Sequence, residues 1–242
     1  MDPSLARAFV RWLHKSRRRR GTARTIAHVL AESVKLARDY TPARRRLRFG
    51  DLEYDWEHRV DTTWANVGLK TRLREIFSEG QYQPVDPAAF RESIAALGMG
   101  FHDFTFIDLG SGKGRALLLA SDYPFRRIIG VELLPELAAI AQENLRCYRN
   151  PSQQCFAIEL HCKDARDFQF PPQPTVLYLF NPFPPDVLDE VLTKVETSLR
   201  EHPRKLIVLY HNPVLKEIVA RRSWLQERAA TTRYVIFAND SR

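Results

Sequence analysis

The 242-residue sequence has little cysteine and no long apolar segment. Its three cysteines, Cys147, Cys155 and Cys162, lack the Cys-x-x-Cys spacing of zinc and redox sites, so we interpret them as reduced thiols in a cytoplasmic compartment. No apolar run approaches the roughly 18 to 20 residues that a helix needs to cross a bilayer, which argues against a transmembrane segment. No Asp/His cluster has the spacing of a metal site, and no metal is predicted.

Positive charge is concentrated at the start of the chain. Residues 1–50 contain 14 Lys or Arg against 3 acids, a net charge of +11, whereas residues 51–242 carry −3. Two arginine runs, 17–20 and 44–46, flank a stretch with apolar residues at helical spacing. Four interpretations stay open: contact with nucleic acid or another polyanion, an anionic membrane surface, an organelle transit peptide, or helices that pack on the rest of the protein.

Beyond this basic helical N-terminal extension, the sequence predicts one domain over residues 51–242, with its core at 82–240. Predicted strands cover 104–109, 127–132, 154–162, 175–180 and 204–210, followed by a hairpin at 224–227 and 233–238. Predicted helices cover 4–16, 22–39, 69–77, 88–97, 114–122, 135–148, 185–200 and 213–221. Strands that alternate with helices predict an α/β fold with a doubly wound, mostly parallel seven-stranded sheet and helices on both faces.

A glycine-rich turn follows the first predicted strand. The chain reads Asp108-Leu-Gly-Ser-Gly-Lys-Gly114, and the next strand ends in Glu132. Glycine permits positive φ and lets a ligand lie against the main chain, and an acid that ends the second strand is placed to accept hydrogen bonds from ribose hydroxyls. The pattern predicts a nucleotide pocket. Arg115 occupies the position of the third glycine in the dinucleotide fingerprint, which disfavours a dinucleotide-dependent oxidoreductase.

The turn and Glu132 together resemble the cofactor-binding signature of the class I, seven-strand S-adenosylmethionine-dependent methyltransferases, over about residues 82–240. The resemblance implies a methyltransferase with S-adenosyl-L-methionine as cofactor. Asp108 would lie near the methionine amino group, and Glu132 would bind the ribose hydroxyls. The other implied cofactor residues are Gly110, Ser111, Gly112 and Gly114 beside the methionine and ribose, Leu133, and Asp164 with Ala165 at the adenine.

The fourth strand runs into Asn181, Pro182 and Phe183. This segment is similar to the Asn/Asp-Pro-Pro-Tyr/Phe element of amino-methylating nucleic-acid enzymes, which implies that these three residues form the catalytic, acceptor side of the site. It departs from that element because Phe183 occupies the place of the second proline and Pro184 that of the aromatic residue. The alternative is a proline-marked strand end whose Phe183 belongs to the core.

A second resemblance precedes the glycine turn. Tyr82-x-Pro84, followed by the turn and Glu132, looks like the seven-strand protein-lysine methyltransferases, which implies that Tyr82, with Thr62 and Thr63, covers the methionine end of the cofactor. Protein lysine is therefore the favoured acceptor, with a nucleic-acid amine or a small molecule as alternatives. His211 is a candidate to take the acceptor's proton. The non-enzyme alternative is a module that binds S-adenosylmethionine without catalysis.

Overall fold

The computed structural model describes residues 17–18, 21–22, 52–63 and 84–239, which belong to two compact units. The first unit includes residues 52–57 and 63, and within it the Asp55 carboxylate accepts a hydrogen bond from the Thr63 N–H at 2.8 Å. The predicted helices at 4–16, 22–39 and 69–77 lie outside the described residues, apart from residue 22. The predicted boundary of the basic extension lies outside them too and stays a prediction.

The second unit, residues 58–62 and 84–239, is an α/β domain. Its strands are β1 (Thr105–Leu109), β2 (Arg127–Glu132), β3 (Ile158–Cys162), β4 (Thr175–Phe180), β5 (Leu206–His211), β6 (Gln226–Ala230) and β7 (Tyr234–Ala238). The helices of the described chain are α1 (Leu52–His58), α2 (Pro87–Ala95), α3 (Arg115–Ser121), α4 (Pro135–Cys147), α5 (Pro185–Glu201) and α6 (Lys216–Ala220), with a 3₁₀ turn at Ala165–Asp167.

The seven strands form one sheet in the order β3-β2-β1-β4-β5-β7-β6. Strands β1 to β5 pair in parallel, and β7 runs antiparallel to both β5 and β6. This confirms the predicted doubly wound, mostly parallel sheet with a terminal hairpin. None of the described helices is both long and apolar enough to span a membrane.

Two predicted elements begin three or four residues later than expected. Strand β3 begins at Ile158 instead of residue 154, because the N–H groups of Gln154 and Cys155 donate to the Ser121 carbonyl at 2.7 and 2.9 Å. Those bonds attach residues 154 and 155 to the end of α3, so they are not part of the sheet. Helix α6 begins at Lys216 instead of residue 213, since Asn212 has a left-handed backbone with φ of 45°.

Side chains from both faces of the central strands pack against helices. On one face, Leu188, Val191, Leu192 and Val195 of α5 recur at helical spacing and pack with Ile107, Leu109, Leu177 and Leu179. On the other face, Phe90 of α2 contacts the rings of Phe106 and Tyr178 at centroid distances of 6.0 and 5.5 Å. Strands β1 and β4 are therefore packed on both faces, and the loops that follow them start from fixed positions.

Candidate active site

The strand order reverses between β1 and β4. Strands β2 and β3 lie on one side of β1, whereas β4 and β5 lie on its other side. In open α/β sheets, ligands bind in the crevice beyond the carboxyl ends of the strands at such a point. Gly110 and Pro182 follow these two strands and touch: a Cβ on Gly110 would lie 2.5 Å from the Pro182 Cβ. Gly110 also has φ of 82°, so this position requires glycine on both grounds. The glycine turn thus meets residues 181–183, the segment predicted to face the acceptor and called the acceptor segment below.

Glu132 ends β2 with its carboxylate held by the main chain. Oε2 accepts a hydrogen bond from the Gly112 N–H at 2.8 Å, and Oε1 accepts one from the Leu134 N–H at 2.7 Å. Burial raises the pKa of Glu132, and these N–H donors partly offset that increase. Each carboxylate oxygen can accept more than one hydrogen bond, so an oriented acid with spare acceptor capacity lies beside the turn.

Asp108, the fourth residue of β1, is only 3% exposed. Among the described residues, none donates a hydrogen bond to its carboxylate. Burial, and then the charge of Glu132, raise the pKa of Asp108 well above its ordinary value. A buried carboxylate without a partner is costly, and a cationic group placed beside it would relieve that cost. This is the electrostatic feature that most clearly points to a ligand.

Two further polar atoms near Asp108 are buried without a hydrogen-bond partner among the described residues. They are the hydroxyl oxygens of Ser111, in the turn, and of Tyr178, which lies opposite Asp108 in the parallel register of β1 and β4. Burial, and then the charge of Asp108, raise the pKa of Tyr178. Buried polar atoms are almost always satisfied in native proteins, so these two hydroxyls close to Asp108 are compatible with a polar ligand there.

Residues 61 and 62 lie against the glycine turn. The sequence did not predict the contacts that they make there. The Lys113 side chain is fully buried, and its Nζ forms an ion pair with Asp61 Oδ1 at 2.7 Å. Asn144 of α4 accepts a hydrogen bond from the Asp61 N–H at 2.7 Å and donates to the Asp61 and Lys113 carbonyls at 2.8 and 2.9 Å. No sequence signal links these residues, because Asp61 and Lys113 are 52 positions apart.

Arg115, the residue that departs from the dinucleotide fingerprint, has a structural partner. Its Nε donates to Thr62 Oγ1 at 2.6 Å, and its Nη1 lies 3.5 Å from the Val85 carbonyl. Thr62 was expected to cover the methionine end of the cofactor; here its hydroxyl accepts a hydrogen bond from Arg115. Tyr82, expected at the same place, lies outside the described residues, so its role stays a prediction.

The predicted adenine contacts follow β3 and have different surroundings. Asp164 caps the 3₁₀ turn, and its carboxylate pairs with the Arg166 guanidinium at 2.6 Å. That partner holds the pKa of Asp164 below its ordinary value. Ala165 is buried in the core, whereas Leu133 is 53% exposed beside Glu132. A single exposed leucine is common on protein surfaces, so the role expected for Leu133 stays a prediction.

The acceptor segment has an unusual backbone at Asn181, whose φ is 48°. Asparagine tolerates this left-handed conformation better than most residues. Asn181 Oδ1 accepts a hydrogen bond from the Tyr210 hydroxyl at 3.0 Å. Phe183 is half-buried and packs against the core on the α5 face, in agreement with the alternative in which its ring belongs to the core. Asn181 and Pro182 remain the parts of the segment beside the turn.

His211 ends β5 and is buried, with its ring stacked on Tyr234 at a centroid distance of 5.6 Å. Its Nε2 lies 2.8 Å from Ser93 Oγ, and Ser93 Oγ donates to the Phe90 carbonyl. Ser93 therefore accepts from His211, which assigns the neutral Nε2–H tautomer. Burial and the charge of Arg233 lower the pKa of His211 to about 4. Such an imidazole is a weak base, which argues against the proton-accepting role considered for it.

The described residues contain no group of three His, Cys, Asp or Glu side chains placed to hold a metal ion.

Comparisons with known proteins agree with the fold. No protein-family model and no curated protein sequence matches the chain. Among solved structures, a putative methyltransferase (yhhF) from Escherichia coli aligns with a TM-score of 0.50 at 14% identity, over 67% of this chain and 90% of that one. An RNA methyltransferase from Salinibacter ruber, solved with S-adenosyl-L-homocysteine, aligns with a TM-score of 0.44 at 17% identity, over 64% of this chain and 92% of that one.

A precorrin-6y C5,15-methyltransferase from Geobacter metallireducens aligns with a TM-score of 0.47 at 16% identity, over 62% of this chain and 86% of that one. At these identities the likeness concerns the fold alone. Of the three structures, the one from Escherichia coli has the highest TM-score, and the comparison of folds rests on it. The domain has the seven-stranded, Rossmann-like α/β fold of the class I methyltransferases.

Proposed function

We propose that this protein is an S-adenosylmethionine-dependent methyltransferase. The observation that carries the proposal is the buried Asp108 carboxylate, which receives no hydrogen bond from the described residues and lies one residue before the end of β1, where the strand order reverses. The amino group of S-adenosylmethionine is a cation with N–H donors, so it supplies both the charge and the hydrogen bonds that this carboxylate needs.

The glycine turn and the residues at the end of β2 fit the same cofactor. Glu132, oriented by two backbone N–H groups, is suited to the ribose hydroxyls. The positive φ angles of Gly110, Gly112 and Gly114 bring the main chain close to a ligand without a side chain between them. Leu133 offers an apolar surface for adenine. Asp164 can contribute only in competition with Arg166, so we rank it below Glu132 among the cofactor contacts.

The cofactor supplies an electrophilic methyl group, and the protein's task is to hold the acceptor in line with it. The contact between Gly110 and Pro182 supports an acceptor position at residues 181 and 182, because it brings that segment against the glycine turn. Asn181 is the polar side chain of that segment, with an amide that can orient an acceptor. Because His211 is buried with a lowered pKa, we expect the acceptor to lose its proton to solvent or to be neutral already.

The acceptor itself stays a prediction, with protein lysine first and a nucleic-acid amine or a small molecule as alternatives. Transfer of a labelled methyl group from S-adenosylmethionine into a cell extract, followed by digestion with protease or nuclease, distinguishes these classes. Label released by nuclease alone would overturn the lysine prediction and leave the methyltransferase proposal intact.

Calorimetry tests the proposal most directly. We expect S-adenosylmethionine and S-adenosylhomocysteine to bind in preference to NAD. Tight NAD binding, with no binding of either methionine derivative, would overturn the proposal. Cofactor binding without methyl transfer to any acceptor would instead favour the module that binds S-adenosylmethionine without catalysis.

The role of the basic extension is a separate prediction. If residues 1–50 contact a polyanion, their +11 charge makes that binding fall roughly a thousandfold between 50 and 200 mM salt. Deleting these residues should then abolish that binding and leave cofactor affinity unchanged. A flat salt dependence in the full-length protein would argue against the polyanion and leave packing on the domain or a transit peptide as the explanation.

A further inference from the structure

A short chain of hydrogen bonds joins the loop after β5 to the acceptor segment after β4. The Leu215 N–H donates to the Tyr210 hydroxyl at 3.3 Å, and the Tyr210 hydroxyl donates to Asn181 Oδ1 at 3.0 Å. Tyr210 is 1% exposed, and its ring belongs to the core on the α5 face. The phenol is therefore fixed by packing before it meets Asn181.

This chain determines which way the Asn181 amide is turned. A tyrosine hydroxyl carries a single hydrogen. Because it accepts from Leu215, that hydrogen is available for Asn181 Oδ1. The amide oxygen then faces Tyr210, and the amide NH₂ is left to meet another partner. Without the phenol, both orientations of the amide would be open to Asn181, whose backbone is already in the left-handed region.

We propose that Tyr210 is a positioning residue for methyl transfer: it acts through Asn181 by fixing the orientation of the amide that faces the acceptor. This inference rests on the proposed function and on the assignment of Asn181 to the acceptor side. Neither the glycine turn nor Glu132 depends on it, so cofactor binding and acceptor positioning can be measured separately.

The first test is Tyr210→Phe, which keeps the buried ring and removes the hydroxyl. We expect the affinity for S-adenosylhomocysteine to stay within about twofold and the rate of labelled-methyl transfer into a cell extract to fall about tenfold, as for one lost transition-state hydrogen bond. Tyr123→Phe is the matched control, because Tyr123 is a half-buried tyrosine in the loop that leads into β2, where it packs on Phe101 ahead of β1. It should transfer methyl groups at the wild-type rate.

A double-mutant cycle separates positioning from a general structural role. If Tyr210 acts through Asn181, the double variant Tyr210→Phe with Asn181→Ala should transfer no more slowly than Asn181→Ala alone. Two decreases that multiply would show that Tyr210 acts independently of Asn181 and would overturn the inference. Wild-type transfer by Asn181→Ala would also overturn it, while the methyltransferase proposal would stand.

Nuclear magnetic resonance gives a measurement that needs no acceptor. The side-chain NH₂ signals of Asn181, assigned by their loss in Asn181→Ala, should shift in Tyr210→Phe and stay in place in Tyr123→Phe. Unshifted signals in Tyr210→Phe would overturn the inference even if no acceptor had been found. The proposed function is tested by a different measurement: it would be overturned if wild-type protein failed to bind S-adenosylhomocysteine. The Asn181 signals do not report on that binding, so the two failures can be told apart.

Discussion

Asp108 and Asp164 are both acids beside the carboxyl ends of parallel strands, yet their surroundings differ. Asp108 is buried with a raised pKa and receives no hydrogen bond from the described residues. Asp164 is partly exposed, pairs with Arg166 at 2.6 Å and has a lowered pKa. The protein already satisfies the charge of Asp164, so a ligand gains little there. It leaves the charge of Asp108 unsatisfied, and a cationic ligand gains most at that position.

Glu132, on the strand between them, is intermediate. It is buried like Asp108 and hydrogen-bonded like Asp164, but its donors are neutral backbone N–H groups. Those groups orient the carboxylate and leave its charge uncompensated. From the edge strand β3 towards the centre of the sheet, the acids thus have progressively fewer partners of their own. Position at a strand end alone does not indicate a ligand contact. Burial and the partners that each carboxylate already has are the better guide.

The largest effect is expected for Glu132→Ala. Loss of two charge-assisted hydrogen bonds to the ribose should cost on the order of 3 kcal/mol of binding free energy, which is roughly a 150-fold loss of affinity. The loss should be similar for S-adenosylhomocysteine and for 5′-methylthioadenosine, because both contain the ribose. Calorimetry checks this. The control is Glu159→Ala, because Glu159 is an acid on β3 that pairs with Arg127. Equal losses in the two variants would contradict the assignment.

Asp108→Asn should give the next largest loss of affinity. Removing the charge should cost about 2 kcal/mol, or roughly thirtyfold, for S-adenosylhomocysteine, whose amino group is the expected partner. Affinity for 5′-methylthioadenosine, which lacks the amino acid, should hardly change. The ratio of the two dissociation constants is the measurement. A parallel loss for both ligands would place Asp108 at the nucleoside instead.

The same substitution should stabilise the protein without ligand. The pKa of Asp108 is raised by folding, so the folded state binds the proton more tightly and ionisation costs stability. That cost is complete above the raised pKa and vanishes as pH falls towards the unfolded value near 4. Asp108→Asn should therefore melt about 2–4 °C higher at pH 7, for about 1 kcal/mol gained. The difference from wild type should shrink towards pH 4, and a constant difference would contradict this origin.

Asp164→Ala should have the smallest effect. Its carboxylate is partly exposed and neutralised by Arg166, so we expect less than about 1 kcal/mol, a fewfold change in S-adenosylhomocysteine affinity. Glu190→Gln, which removes the more distant partner of Arg166, is the control. A hundredfold loss in Asp164→Ala would restore Asp164 to equal rank with Glu132 and end the contrast with Asp108.

The sheet was largely predictable from sequence because its strands are apolar runs bounded by turns. Strands β2 and β4 have the predicted bounds, 127–132 and 175–180. Helix α1 was missed because its apolar residues Leu52, Tyr54 and Trp56 alternate, a pattern with the period of a strand. The late start of β3 was missed because it depends on bonds from residues 154 and 155 to Ser121, a contact across the fold.

In the site, the local motifs were recognisable and their partners were not. The glycine turn lies directly between β1 and α3, and Glu132 ends β2, so the neighbouring sequence indicates both positions. Lys113 reads as an ordinary solvated lysine, yet its side chain is buried against Asp61. The orientation of Asn181 depends on Tyr210, which is 29 positions away. Burial and long-range pairing decide both cases, and neither is written in residue spacing.

The missing side chain at Gly110 also limits how this protein can be redesigned. Any residue larger than glycine there would push into Pro182. If residues 181 and 182 face the acceptor as proposed, a change at Gly110 would move them as well, and a change at Pro182 would in turn disturb the glycine turn. On that proposal, donor and acceptor preferences are mechanically linked at this contact, and variants with a new acceptor will have to be selected for both at once.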